Sequence, residues 1–219
     1  MSSISMICFD WGGVILRICR SWAEGCAAAG LDVRGESGTP AWAARRKAVS
    51  RAYETGRLTD SAFLAEMSRA MDSLYTPREI ERVHHAWLVG EYPGIDAVVQ
   101  SILATPGLET AMLSNTNAMH WARQALDPNG VLNHFPTAGR LRHRHASHLM
   151  GHAKPDAEIY EAFASAVGRR PSEILFFDDL ADNIATARLC GWNAHQIDHT
   201  GDTASQIREH LVSRGLWRG

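Results

Sequence analysis

Asp10 closes a short apolar run, Ser5 to Phe9, and is followed at once by Trp11-Gly12-Gly13. A carboxylate delivered at the end of a buried strand can act as a nucleophile and carry a covalent intermediate. The same position also suits an aspartate that only caps a helix or closes a turn. Two further segments share this grammar: Glu109 to Leu113 runs into Ser114-Asn115-Thr116-Asn117, and Ile174 to Phe177 runs into Asp178-Asp179. Asp10, Asp178 and Asp179 together form an all-oxygen donor set suited to a hard divalent cation such as Mg²⁺. Without a cation, clustered carboxylates repel one another. Each motif also has a plainer reading: a helix cap for Asp179 to Asn183, a polar turn for Ser114 to Asn117, and a solvated surface charge for Lys154.

Residues with these tasks need elements that bring them together. An apolar run ending in a polar turn is the expected form of a buried parallel strand, and open α/β sheets place their ligands at the carboxyl edge. Between the three runs, the spacing predicts helices over Ile95 to Ala104, Ala118 to Leu126, Asp156 to Val167 and Asn183 to Leu189. In Asp156 to Val167, the residues Ile159, Tyr160, Phe163 and Val167 recur at helical spacing, and Gly168 stops the helix. The expected fold class is α/β, with a Rossmann-like, doubly wound parallel sheet as its core.

Residues 16–92 read differently. They predict helices over Ser21 to Ala29, Pro40 to Tyr53, Thr59 to Met71 and Thr76 to Leu88, with no convincing strand. Thr39-Pro40, Thr59-Asp60 and Thr76-Pro77 mark helix starts, where a hydroxyl can cap and proline fits the first turn. The expected organisation is therefore a core of residues 1–15 and 93–219 with an inserted α-helical cap domain at 16–92.

ICFDWGGVIL, AMLSNTN, AKPDAEIY and ILFFDDLADNIATARLCGW follow one another along the chain. This series resembles the four motifs of the haloacid dehalogenase-like superfamily, in order and across nearly the whole chain. The insertion, with YETGRLTDSAFLAEM, resembles the small helical cap that follows the first motif in one subgroup. The first motif resembles the FDxGGV/FDxGNV lineage, which includes sugar-phosphate phosphatases and the phosphatase domain of mammalian epoxide hydrolase. The resemblance implies a Mg²⁺-dependent phosphatase that acts on a small phosphorylated metabolite through an aspartyl-phosphate on Asp10. It also implies that the Gly12 carbonyl and Asp179 bind the ion directly and that Asp178 binds it through water. Gly13, Ser114, Asn115 and Lys154 would contact the phosphate. Asn115 would do so by backbone or amide, Lys154 would balance the charge, and Asn183 would orient loop groups.

Two segments depart from the family pattern. Many members carry an aspartate two residues after the nucleophile as general acid and base, and here that position is Gly12. Either cap residues or water do that work, or the chemistry differs, or catalysis has been lost. The alternatives kept open are thus a non-catalytic module for a phospho-ligand or protein, and a dehalogenase or phosphoglucomutase-like enzyme. The second departure is GRLRHRHASHLMGH, residues 139–152, rich in Arg and His. It admits a zinc reading on His143, His145, His148 and His152, a basic rim for an anionic ligand, or a solvated strand and loop. Trp22, Trp42 and Trp87 are expected to pack the cap helices.

Composition narrows the remaining choices. With 45% hydrophobic and 21% charged residues, the 219-residue chain has the make-up of a folded globular protein. A formal charge of −2 supplies no field for a polyanion, so nucleic acid is not the expected partner. No apolar stretch approaches a membrane span, and no secretory signal is expected from the N-terminus. Cys8, Cys19, Cys26 and Cys190 lack CxxC spacing, as suits reduced thiols in the cytoplasm. The sequence leaves the oligomeric state open.

Overall fold

The computed structural model describes residues 4–124 and 135–217. The chain opens with β1 (Met6–Phe9) and β2 (Leu16–Ile18). It then passes through α1 (Trp22–Ala28), α2 (Pro40–Glu54), α3 (Asp60–Ala70) and α4 (Pro77–Ala86). β3 (Leu88–Glu91), α5 (Ile95–Leu103), β4 (Glu109–Ser114), α6 (Ala118–Trp121) and α7 (Pro136–Gly139) follow. The rest comprises β5 (His143–Ala146), α8 (Ser147–Met150), α9 (Ala157–Val167), β6 (Ile174–Asp178), α10 (Ala181–Leu189), β7 (Asn193–Gln196) and α11 (Thr203–Ser213).

Five parallel strands form one sheet in the order β5-β4-β1-β6-β7, so the first strand lies at its centre. All four residues of β1 are buried because both faces of the sheet are covered, which is why its sequence is continuously apolar. Ile7 and Phe9 join the cluster that contains Val98, Val99, Ile207 and Leu211 on one face. Met6 and Cys8 join Ile159, Tyr160, Phe163 and Trp192 on the other. This is the doubly wound arrangement expected from the sequence. β5 and β7 extend the sheet beyond the three strands read from apolar runs. They lie at its edges, so runs such as His143–Ala146 and Asn193–Gln196 can be polar.

The helices expected in residues 16–92 are present within a residue or two at each end. Thr59 caps α3, and Thr76 with Glu79 forms a reciprocal capping box on α4. Thr39 precedes Pro40 at the start of α2, but its side chain makes no capping bond. The expectation of no strand in this region is corrected, because β2 and β3 pair as a two-stranded antiparallel ribbon. Runs of three and four residues are too short to show periodicity; their pairing across the base of the insertion defines them. The insertion has its own apolar cluster around Trp22, Tyr53, Phe63, Met67, Tyr75, Ile80 and Val83. It also closes onto the core. A Cβ on Gly56 would come within 2.5 Å of the His148 carbonyl oxygen, so the backbones meet where only glycine fits. The helix expected over Ala118 to Leu126 is instead α6 followed by a 3₁₀ turn at Ala122–Gln124; its last two residues lie outside the described residues.

Candidate active site

The register explains why the polar residues converge. Phe9 is level with Phe177 of β6 and Met112 of β4, so Asp10, Asp178 and Ser114 all emerge at the carboxyl edge of the three central strands. Lys154 reaches the same point from the loop before α9. Its ammonium lies 2.6 Å from Asp178 Oδ2 and 3.0 Å from Asp10 Oδ1. The side chain is only 1% exposed, so the reading of Lys154 as a solvated surface charge does not hold. Burial alone would lower its pKa, but Asp10 and Asp178 more than offset that and hold it protonated.

Asp178 is also bound by the Asn183 amide, at 3.0 Å to each oxygen, and by the Leu180 N–H at 2.8 Å. Asn183 is thus brought to the site, with its amide on both Asp178 oxygens. Asp179 faces the cleft, where Arg20 Nη1 donates to its Oδ2 at 2.7 Å and His199 lies 3.6 Å away. Burial pushes the Asp10 carboxyl up to about 7; Lys154 pulls it back, while Asp178 and Asp179 add to the rise.

One carboxylate oxygen from each of Asp10, Asp178 and Asp179 can be chosen so that all lie within 4.8 Å of one another. No other His, Cys, Asp or Glu group among the described residues forms such a set. Three hard oxygen donors, crowded enough to raise Asp10, fit a divalent cation of the Mg²⁺ kind. The zinc reading of residues 139–152 fails on contacts. Arg142 and His143 pair with Glu109 at 3.0 Å, Arg140 pairs with Asp96 at 2.6 Å, and the His145 ring packs edge-on against Phe163. The segment forms a sheet edge held by its own acidic partners.

Gly12 and Gly13 are both at the site. Gly13 has φ +86°, and a Cβ there would lie 2.4 Å from the Asp179 carboxyl carbon, so a side chain would displace that group. Ser114 is buried and lines the cleft beside Asp10. Asn115 is committed differently from one of its two expected roles. Its amide donates to the Lys154 carbonyl and accepts from the Lys154 N–H, both at 2.8 Å. The amide therefore anchors the Lys154 backbone, leaving the backbone of Asn115 to face a ligand.

Sequence reasoning missed several residues that reach this site from the insertion. Arg51 of α2 donates to the Lys154 carbonyl at 2.9 Å and the Ala153 carbonyl at 3.0 Å, and also pairs with Asp156. Glu54, the last residue of α2, lines the cleft that holds Asp10, Lys154 and Asp179. A second cavity of about 250 Å³ opens beside it, walled by Trp22, Tyr53, Phe63, Ile80 and Trp87. Trp22 and Trp87 therefore face a cavity as well as packing helices. His84 and His120, stacked 3.7 Å apart, stand at its inner end with Asn117. No local sequence signal marks these residues, because their position depends on how the insertion folds over the core.

Comparison with known proteins agrees with this geometry. The chain is 27% identical to a phosphatase of Mycobacterium tuberculosis over 97% of this chain and 96% of that protein. It is also 27% identical to D-ribitol-5-phosphate phosphatase of Bacteroides thetaiotaomicron, over 96% of this chain and all of that protein. Among solved structures, a haloacid dehalogenase-family enzyme of the same organism, crystallised with magnesium and inorganic phosphate, superimposes with a TM-score of 0.72 at 20% identity. That match covers 94% of this chain and 100% of the other and shows a shared fold. The family model for haloacid dehalogenase-like hydrolases matches residues 4–191, and the chain belongs to that family.

Proposed function

We propose that this protein is a Mg²⁺-dependent phosphomonoester hydrolase that attacks a small phosphorylated metabolite through Asp10. The observation that carries this reading is the junction of Asp10, Lys154, Asp178 and Asp179 at the carboxyl edge of the sheet. Asp10 supplies the oxygen that attacks phosphorus and takes up the phosphoryl group as an acyl phosphate, which water then cleaves. Mg²⁺, held by Asp10, Asp179 and the Gly12 carbonyl, would neutralise phosphate oxygens and keep phosphorus in line. Lys154 and Ser114, with the backbone of Asn115, contact the remaining phosphate oxygens. Asp178 and Asn183 keep the Lys154 ammonium in place.

Residues 16–92 serve in this reading as a cap domain over a core of 1–15 and 93–219, and the organic part of the ester lies in the cavity between them. Aromatic walls suit the C–H face of a cyclic sugar phosphate or an aryl phosphate. The four free thiols fit a cytoplasmic enzyme. Among the described residues, no helix is long and apolar enough to cross a membrane.

The reading is tested by phosphate release from a panel of esters, with and without Mg²⁺, for the parent and Asp10→Asn. Turnover by the parent with Mg²⁺ and none by the folded variant is expected. An inert parent, or a variant that matches it, would refute the proposal.

A further inference from the structure

A phosphate ester seated in this site must span two spaces. Its phosphoryl group belongs in the cleft with Asp10, Lys154 and Asp179, and its organic part in the aromatic cavity beside it. The bond that breaks lies where the two meet. Gly12, Ile18, Ser50, Glu54, Ser114 and Asn115 line both spaces. Glu54 is the one side chain of the six that titrates in the physiological range.

Resting on the phosphatase reading above, we propose that Glu54 is the general acid and base of this enzyme, supplied by the insertion in place of the aspartate missing at Gly12. In the first step an Asp10 oxygen bonds to phosphorus as the bond from phosphorus to the leaving oxygen breaks. The Glu54 carboxyl gives its proton to that oxygen and becomes a carboxylate. In the second step the carboxylate takes a proton from water, the water oxygen bonds to phosphorus, and the bond to Asp10 breaks. Phosphate leaves, with Asp10 again a carboxylate and Glu54 again protonated.

The surroundings of Glu54 suit both halves of this cycle. No described residue hydrogen-bonds its carboxyl, so the group is free to face a ligand. Burial pushes its pKa up to about 7, with Arg51 and Lys154 pulling the other way. A carboxyl near 7 can give and take a proton at neutral pH. Of the other carboxyls in the cleft, Asp10 is the attacking group, Asp179 is paired with Arg20, and Asp182 is exposed. Lys47 and Arg51 of its own helix, Arg46 beside the cavity and Arg20 at the ribbon are cations and not carboxyls. Asp156 is tied to Arg51, and the Tyr53 hydroxyl donates to Asp60 at 2.6 Å. His84 and His120 lie further in and are held neutral by burial.

The test compares the parent and Glu54→Gln, a substitution that keeps the volume and removes the ionisable proton. The measurement is kcat/KM across aryl and alkyl phosphates graded by leaving-group acidity, with Mg²⁺ saturating and folding checked by circular dichroism. A dinitrophenyl ester, whose leaving oxygen needs no proton, should lose less than about threefold in phosphoenzyme formation. A primary alkyl ester should lose roughly 10² to 10⁴, the usual range for general acid–base catalysis. A merely structural role would depress every ester alike, so a uniform loss, or none, overturns the proposal. A parent that hydrolyses nothing in the series overturns the phosphatase reading and this proposal with it. A parent active on the series, matched at every ester by Glu54→Gln, overturns this proposal alone.

Discussion

The two walls of the cleft are built by opposite means. On the core side the central charged groups are tied down: Lys154 is held between two carboxylates, and Asp178 accepts from the Lys154 ammonium, the Leu180 N–H and the Asn183 amide. On the insertion side the wall is aromatic, and Glu54 carries no hydrogen bond from a described residue. A dense polar network in a buried place fixes geometry, and losing one member leaves the others unpaired. An aromatic wall contributes burial and shape, and it tolerates exchange. Damage to the core wall should therefore stop the reaction for every ester, whereas changes in the insertion should alter which ester reacts.

Lys154→Met gives the largest expected effect. The substitution removes the ammonium between Asp10 and Asp178 and leaves two buried carboxylates without their cation. We expect kcat to fall by about 10³ or more across all esters, in the range seen when a preorganised charge is lost. Thermal stability should fall too, since breaking a buried pair costs about 3–5 kcal/mol. A variant that lost activity on some esters only would break the division between the walls.

The two aspartates of the fourth motif, Asp178 and Asp179, sharpen it next. Asp179→Asn should raise the Mg²⁺ concentration needed for half-maximal rate by at least about tenfold, as expected for a group that meets the ion. Asp178→Asn should leave that concentration within about threefold and lower kcat, because its contacts hold Lys154 in place. Equal shifts in a Mg²⁺ titration would show that the two carboxylates share one task.

This polar wall was largely legible in the sequence. A strand that ends in polar residues is a local pattern, and that pattern alone puts Asp10, Ser114 and Asp178-Asp179 at one sheet edge. Lys154 and Asn183 came from motif resemblance, since nothing in their immediate neighbourhood requires burial. The opposite wall was illegible. Glu54 is an ordinary glutamate at the end of α2, 44 residues after Asp10 in the chain. Arg51 looks like any cation on a solvated helix face until α2 lies across the loop at Lys154. β2 and β3 were missed because pairing, not periodicity, defines such short strands.

A moderate effect should follow from the aromatic wall. Trp87→Ala removes a ring that lines the cavity and packs over Gly25, where a Cβ would lie 2.8 Å from it. We expect KM for aryl phosphates to rise about tenfold, from a loss of roughly 1–2 kcal/mol of apolar contact, while kcat at saturation stays within about threefold. A fall in kcat with unchanged KM would place this residue with the core wall in function.

The smallest effect concerns stability and comes from the inner end of the cavity. His84 and His120 stack at 3.7 Å, and Asn117 accepts from the His120 N–H while its Oδ1 lies 3.1 Å from His84 Nε2. Burial lowers the pKa of His84 to about 4 and holds that of His120 well below its ordinary value. An unfolded histidine takes up a proton near 6.5. Below that pH the unfolded chain therefore binds protons that the folded chain refuses, and stability falls as pH drops. For His84 the loss begins near 6.5, grows toward 4 and then levels off, reaching on the order of 1–3 kcal/mol. His84→Phe keeps a ring on His120 and removes the titration. Its denaturation midpoint should therefore change less than the parent's between pH 7.5 and 5, a window above most of the range in which ordinary carboxyls titrate. Parallel curves for the two proteins would mean that His84 charges without disturbing the fold, and that the insertion opens to water there more readily than the stacked pair suggests.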